Sequence, residues 1–100
     1  MNDVIHNIIF GLCLFHLETV NYKHNQEFVK AFGEHLRKLR LQHGHSMRSF
    51  AILADIEYKQ LSLIEHGSIN TTISTVNALA DALDLPVKEL FDFKVPAKSK

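Results

Sequence analysis

The chain is poor in cysteine: Cys13 stands alone among 100 residues. A single thiol excludes an internal disulfide framework and a multi-cysteine zinc site, and a reducing compartment, the cytoplasm, is the simplest home. Its neighbours Leu12, Leu14 and Phe15 point to a buried, inert thiol. Four glycines and two prolines, with 46% apolar and 22% charged residues, exclude collagen, coiled-coil rods and disorder throughout. Net charge is zero, so no global pull acts toward nucleic acid or membrane. A membrane-spanning run is missing. Residues 4–17 (VIHNIIFGLCLFHL) hold no Lys, Arg, Asp or Glu, but a span needs about 20 such residues. The start Met1-Asn2-Asp3 lacks the positive region of a signal peptide.

Catalytic constellations are missing too. There is no glycine-rich phosphate loop, no paired carboxylate in an evident cleft, and no nucleophile–base–orienter set, so no enzymatic activity and no cofactor are expected. Ser46, Ser49, Ser62, Ser68 and Ser74 read as helix caps and surface positions. Seven histidines raise the question of a metal. His43 and His45 flank Gly44 with no second pair at ligand spacing, and His6, His16 and His24 fall in the N-terminal segment, so surface or helix-terminal histidines are expected instead of a metal site.

What is there is a charge pattern and a helical period. Lys23 against Asp3, Glu18 and Glu27 gives residues 1–29 a charge of −2. Lys30, Arg37, Lys38, Arg40, Arg48 and Lys59 against Glu34, Asp55 and Glu57 give residues 30–60 a charge of +3. Lys88 against Glu65, Asp81, Asp84, Glu89 and Asp92 gives residues 61–93 a charge of −4. A basic face for an anionic partner is one reading, and solvated surface charge is the other.

The spacing divides the chain into an apolar N-terminal arm with a polar linker (1–25), a helical domain (26–93) and a basic tail (94–100) carrying Lys94, Lys98 and Lys100. Phe28, Phe32, Leu36, Leu39 and His43 form one helical stripe, and Gly44 closes it. Ser46 caps a short helix that turns Phe50, Ala51 and Ala54 inward, and Asp55 ends it in a left-handed turn. A helix over about 58–66 turns Leu61 and Ile64 inward, and Gly67 closes it. Thr72 caps a fourth helix with Ile73, Val76, Leu79, Ala80 and Leu83 at clean helical spacing, one apolar stripe, broken at Asp84-Leu85-Pro86. Val87–Phe91 reads as a fifth, short helix, giving an all-α, five-helix domain. No strand pattern competes after Gln26.

The second and third helices, joined at Ala54-Asp55-Ile56-Glu57, form a helix-turn-helix. The ordered set Phe32-Gly33-Glu34-x-Leu36-Arg37-x-Leu39-Arg40, Ser46-x-x-x-Phe50-Ala51, Asp55-Ile56, Leu61-Ser62-x-Ile64-Glu65-x-Gly67, Asn70, Thr72, Leu79-Ala80-x-Ala82-Leu83 and Glu89-Leu90-Phe91 resembles the lambda-repressor/Cro-like (Xre-type) DNA-binding domain. The resemblance covers about six-tenths of the chain. It implies a five-helix fold and a transcriptional regulator bound as a homodimer to double-stranded DNA at a palindromic operator. It makes Tyr58, Lys59 and Leu63 the base-facing positions, with Lys59 on guanine O6 and N7 and Tyr58 on a thymine methyl or a phosphate. Ser46, Met47, Arg48, Gln60, Ser62, His66 and Ser68 become phosphate-side candidates. Arg40 and Glu65 match a partly buried ion pair of structural role.

This sequence also departs from that pattern. Leu63 and His66 replace common polar DNA contacts, and Glu57 sets a negative charge at the start of the recognition helix, so weak affinity in isolation and a shallow salt dependence are expected. A protonated His66 would add charge near phosphate. His45 stands for a usual Leu and Asp55 for a usual Gly. Leu41, Ile52 and Leu53 are apolar where polar residues are usual, and an arm at residues 4–17 packed on them is the expectation. Val87, Leu90, Phe91 and Phe93 supply apolar surface for a two-fold dimer, with recognition helices about 34 Å apart, or for the domain's own core. The competing function is a protein-interaction or antitoxin-like module on the same scaffold, gripping a partner through the arm. Membrane association through residues 4–17 ranks low, because flanking cations are absent.

Overall fold

The computed structural model describes residues 22–95. Among them lie four α-helices, a terminal 3-10 helix and no strand. The helices are α1 (Tyr22–Gln42), α2 (Met47–Ala54), α3 (Tyr58–Glu65) and α4 (Ile73–Ala82), followed by the 3-10 helix Val87–Phe91.

Helix α1 starts at Tyr22, so Tyr22–Asn25, expected in a polar linker, are helical. Hydrophobic spacing reveals a helix only where it has an inward face, and a polar first turn leaves no such trace. Phe32, Leu36 and Leu39 are buried, while Phe28 stays 36% exposed at the rim. Gly33 is there for contact: a Cβ on it would collide with the Ile64 carbonyl oxygen, so α1 rests directly on the backbone of α3. A glycine inside a helix costs about 1 kcal/mol relative to alanine, and this close crossing is what it makes possible. The helix ends with Gly44 at φ 74°. The Gly44 N–H donates to Leu41 O (3.0 Å) and the His45 N–H to Arg40 O (3.1 Å), which satisfies carbonyls the helix leaves open.

Helix α2 begins at Ser46, whose Oγ accepts the Ser49 N–H at 3.0 Å. It buries Phe50, Ala51 and Ala54. Asp55 closes it in the left-handed region (φ 58°, ψ 46°), and the Ile56 N–H reaches back to Ala51 O at 3.0 Å. Helix α4 is capped by Thr72 Oγ1, which accepts the Thr75 N–H at 3.1 Å. Val76, Leu79 and Ala80 are buried along it and Leu83 just after it.

Two expectations need correction. Ile73 faces solvent at 88% exposure. It keeps register with Val76, but it is the first residue of α4 and the core ends below it. The fifth helix is a 3-10 helix of five residues. Its Glu89 N–H bonds three residues back, to Pro86 O at 3.0 Å. So short a segment has too few bonds to propagate an α-helix, and the tighter turn suffices to aim Leu90 into the core. Leu90 is fully buried. Phe93 follows it and packs edge-on against Phe28 at 5.5 Å and Phe32 at 6.4 Å between ring centroids. His35 joins them by donating from Nε2 to Glu89 O at 2.8 Å.

Candidate nucleic-acid interface

Helix α2, the turn Asp55–Glu57 and helix α3 form one corner of the molecule. Helix α3 turns Leu61, Ile64 and Glu65 inward. Helical geometry then puts Lys59, Ser62, Leu63 and His66 on the opposite face, three and four residues apart. Lys59 and His66 are exposed, and Ser62 and Leu63 are half-buried.

The anchor of α3 is ionic. Arg40 and Glu65 are both nearly sealed from solvent, at 6% and 5% exposure. Arg40 donates from Nε to Glu65 Oε2 (2.7 Å) and from Nη2 to Glu65 Oε1 (3.1 Å). Its Nη1 donates to the His45 carbonyl at 3.0 Å. One guanidinium therefore ties α1, the α1–α2 turn and α3 together in a two-pronged fork that suits a carboxylate. A buried charge is tolerated only with partners of this kind.

Each remaining candidate has a definite place. Ser46 is exposed, and its hydroxyl oxygen serves as the α2 cap. Met47 is partly buried and packs against the core: an apolar thioether beside a hydrophobic cluster lowers its energy by leaving water. Only its backbone N–H, in the first turn of α2, has no intrahelical partner. Arg48 is exposed, and its guanidinium carbon stands 5.3 Å from the centre of the Tyr58 ring. Tyr58 is 48% exposed. Gln60 is half-buried, and Ser68 is exposed beyond Gly67. The Ser68 backbone N–H closes α3 by bonding Leu63 O at 2.9 Å. His66 donates from Nδ1 to the Ser62 carbonyl at 2.7 Å. A carbonyl only accepts, so Nδ1 carries the proton there.

Three features escaped the sequence reading. The Arg48–Tyr58 stack joins residues ten positions apart, and no local period marks such a pair. The Arg40 bond to the His45 backbone carries no side-chain signature at position 45. Gly33 did carry a signal, a glycine within a helical stripe, which usually marks close packing. Leu41, Ile52 and Leu53 are exposed at 55%, 74% and 53%. The expected partner of that patch, residues 4–17, lies outside the described residues. Among the described residues no group of three or more His, Cys, Asp or Glu side chains could hold a metal, and no helix is long and apolar enough to cross a membrane.

A family model described as a helix-turn-helix domain matches residues 31–92. Among solved structures, the chain is similar to the restriction-modification controller protein C.AhdI from Aeromonas hydrophila. The two share 36% identity and a TM-score of 0.61, over 64% of this chain and 96% of that one. It shares its fold with the clp gene regulator ClgR from C. glutamicum at 23% identity and a TM-score of 0.61, over 64% of this chain and 83% of that one. No curated protein matches.

Proposed function

The chain belongs to the helix-turn-helix domain family, of the lambda-repressor/Cro-like kind, and we propose that it is a sequence-specific, non-enzymatic transcriptional regulator that binds double-stranded DNA in the cytoplasm. The observation that carries this reading is the outward face of α3, where Lys59 and His66 stand exposed with Ser62 and Leu63 between them. A helix presenting such a face fits the major groove, about 12 Å wide. Lys59 reads guanine O6 and N7, Tyr58 lies at the edge of the same contact, and Leu63 makes apolar contact. Ser46, Met47 through its backbone N–H, Arg48, Gln60, Ser62, His66 and Ser68 lie on the phosphate side.

The binding form is a homodimer on a palindromic operator, with recognition helices about 34 Å apart. An apolar face supports it. Phe28, Ile73, Val87 and Phe91 are 36%, 88%, 37% and 43% exposed. A groove of about 190 Å³ between α1, α4 and the 3-10 helix has Phe28, Ile73 and Phe91 in its lining. That volume is below the roughly 300 Å³ of small-molecule pockets, and it suits a few side chains of a second copy.

Selection from random DNA with the full chain at stated salt tests this function. The expected outcome is enrichment of an inverted repeat with half-sites one helical turn apart. Recovery of unenriched DNA at every salt concentration sinks it. A second reading rests on the exposed Leu41, Ile52 and Leu53: a protein-interaction or antitoxin-like module gripping a partner through these residues or the N-terminal arm. Under that reading Leu53→Asp abolishes partner capture and leaves DNA selection intact.

A further inference from the structure

Arg48 and Tyr58 belong to different helices, the second residue of α2 and the first of α3. Their side chains meet at 5.3 Å from guanidinium carbon to ring centroid. That is within the roughly 6 Å over which a cation is drawn to an aromatic face. Glu57, which directly precedes Tyr58, is exposed. Among the described residues, however, Arg48 forms no ion pair.

The difference matters chemically. An ion pair with Glu57 would occupy the N–H donors of the guanidinium. Its contact with the ring leaves those donors open, since among the described residues the Arg48 side chain makes no hydrogen bond. Those donors bind a phosphate two at a time. A free arginine also loses rotamer freedom on binding, and one already held in place loses less.

We propose that Tyr58 is a positioning residue: its ring holds the Arg48 guanidinium at the α2–α3 junction for two-pronged contact with a DNA phosphate beside the bases that Lys59 reads. The pair then acts as a unit. Tyr58 raises affinity through Arg48 and carries no base preference of its own. Both residues were candidates taken singly, and what is new is their coupling. The proposal rests on the DNA-binding reading above.

The test is a double-mutant cycle in the full chain. Binding to a selected site and to an unrelated duplex is followed by fluorescence anisotropy across a salt series. Tyr58→Phe, which keeps the ring, is expected to keep the coupling to Arg48 and to bind more tightly than Tyr58→Leu. Tyr58→Leu is expected to weaken binding to both duplexes alike, by about two- to fivefold. Arg48→Met is expected to weaken binding and to flatten the salt slope of the dimer by about two units, one for each protomer. Adding Tyr58→Leu to Arg48→Met is expected to cost nothing more. In the DNA-free protein, the side-chain proton resonances of Arg48 are expected to be shifted upfield by the ring in the parent and in Tyr58→Phe, and to return to ordinary positions in Tyr58→Leu. Additive losses overturn the proposal, as does a changed base preference in Tyr58→Leu, or Tyr58→Phe proving as weak as Tyr58→Leu. A parent chain that binds DNA while its Arg48 resonances stay unshifted overturns this proposal alone. A parent chain that selects no DNA overturns the DNA-binding reading, and this proposal with it.

Discussion

Arg40 owes its burial to Glu65 and to the His45 carbonyl. Arg40→Ala would leave the Glu65 carboxylate sealed without a counter-charge, and a loss of about 3–5 kcal/mol in urea unfolding is expected. Replacing both partners, as Arg40→Met with Glu65→Leu, is expected to cost much less, because no charge is left stranded. A double variant as unstable as Arg40→Ala would show that the fork, and not the desolvated charge, dominates. Lys59 sits at the other extreme, exposed and, under the proposed function, engaged only by DNA. Lys59→Ala is expected to leave unfolding unchanged, to cost about 1–3 kcal/mol on the selected site, and to relax preference at one base pair. Equal loss on every sequence would assign Lys59 to a phosphate. Legibility differed sharply among such residues. The inward set Phe50, Leu61 and Ile64 follows from spacing alone, since burial is periodic along a helix. The Arg40–Glu65 pairing came from family resemblance, because no local rule links positions 25 apart. The partial burial of Met47 was not legible, because a residue at a helix start shows no packing partner until a neighbouring element lies over it.

At the scale of elements, boundaries followed local chemistry wherever a side chain or a left-handed residue closed the helix. Ser46 and Thr72 each accept a first-turn N–H, and Asp55, Asp84, Gly44 and Gly67 take positive φ. These are choices made within a few bonds, so they are readable from a few letters. Ser46→Ala is expected to lower stability by about 1 kcal/mol, and thermal unfolding measures it. The effect should add to that of Thr72→Ala, since the two caps share no partner. Unchanged unfolding in Ser46→Ala would mean that α2 is fixed by Phe50 and Ala51 packing instead. The two elements that departed from the sequence reading did so for the converse reason. The first turn of α1 has no apolar face to betray it, and the last helix is too short for intrinsic preference to decide between α and 3-10 winding. The tighter turn is enough to bury Leu90.

For the whole molecule, charge and apolar surface set what it can meet. Arg40 is withdrawn into its ion pair, so Arg48 and Lys59 are the cations at the helix-turn-helix corner. Two per protomer and four per dimer predict a slope of log affinity against log salt near −4. A slope of −8 or steeper in the titration would require cations from elsewhere, the Lys94–Lys100 tail among them. Ile73 gives the matching test of the apolar face. It is 88% exposed, so Ile73→Asp is expected to leave the unfolding midpoint in place while weakening self-association at least tenfold in sedimentation. A midpoint that falls with the substitution would place Ile73 in the protomer's own packing.

The sequence by itself determined the helices, their caps and the inward stripe, because these depend on interactions within a few residues of chain. It determined the family as well, through the order of those elements. Only the tertiary structure decided that α1 touches the α3 backbone at Gly33, that Arg48 lies over Tyr58, and that Ile73 faces water. Each of those depends on where two remote segments come to rest, and packing of the whole core fixes that distance.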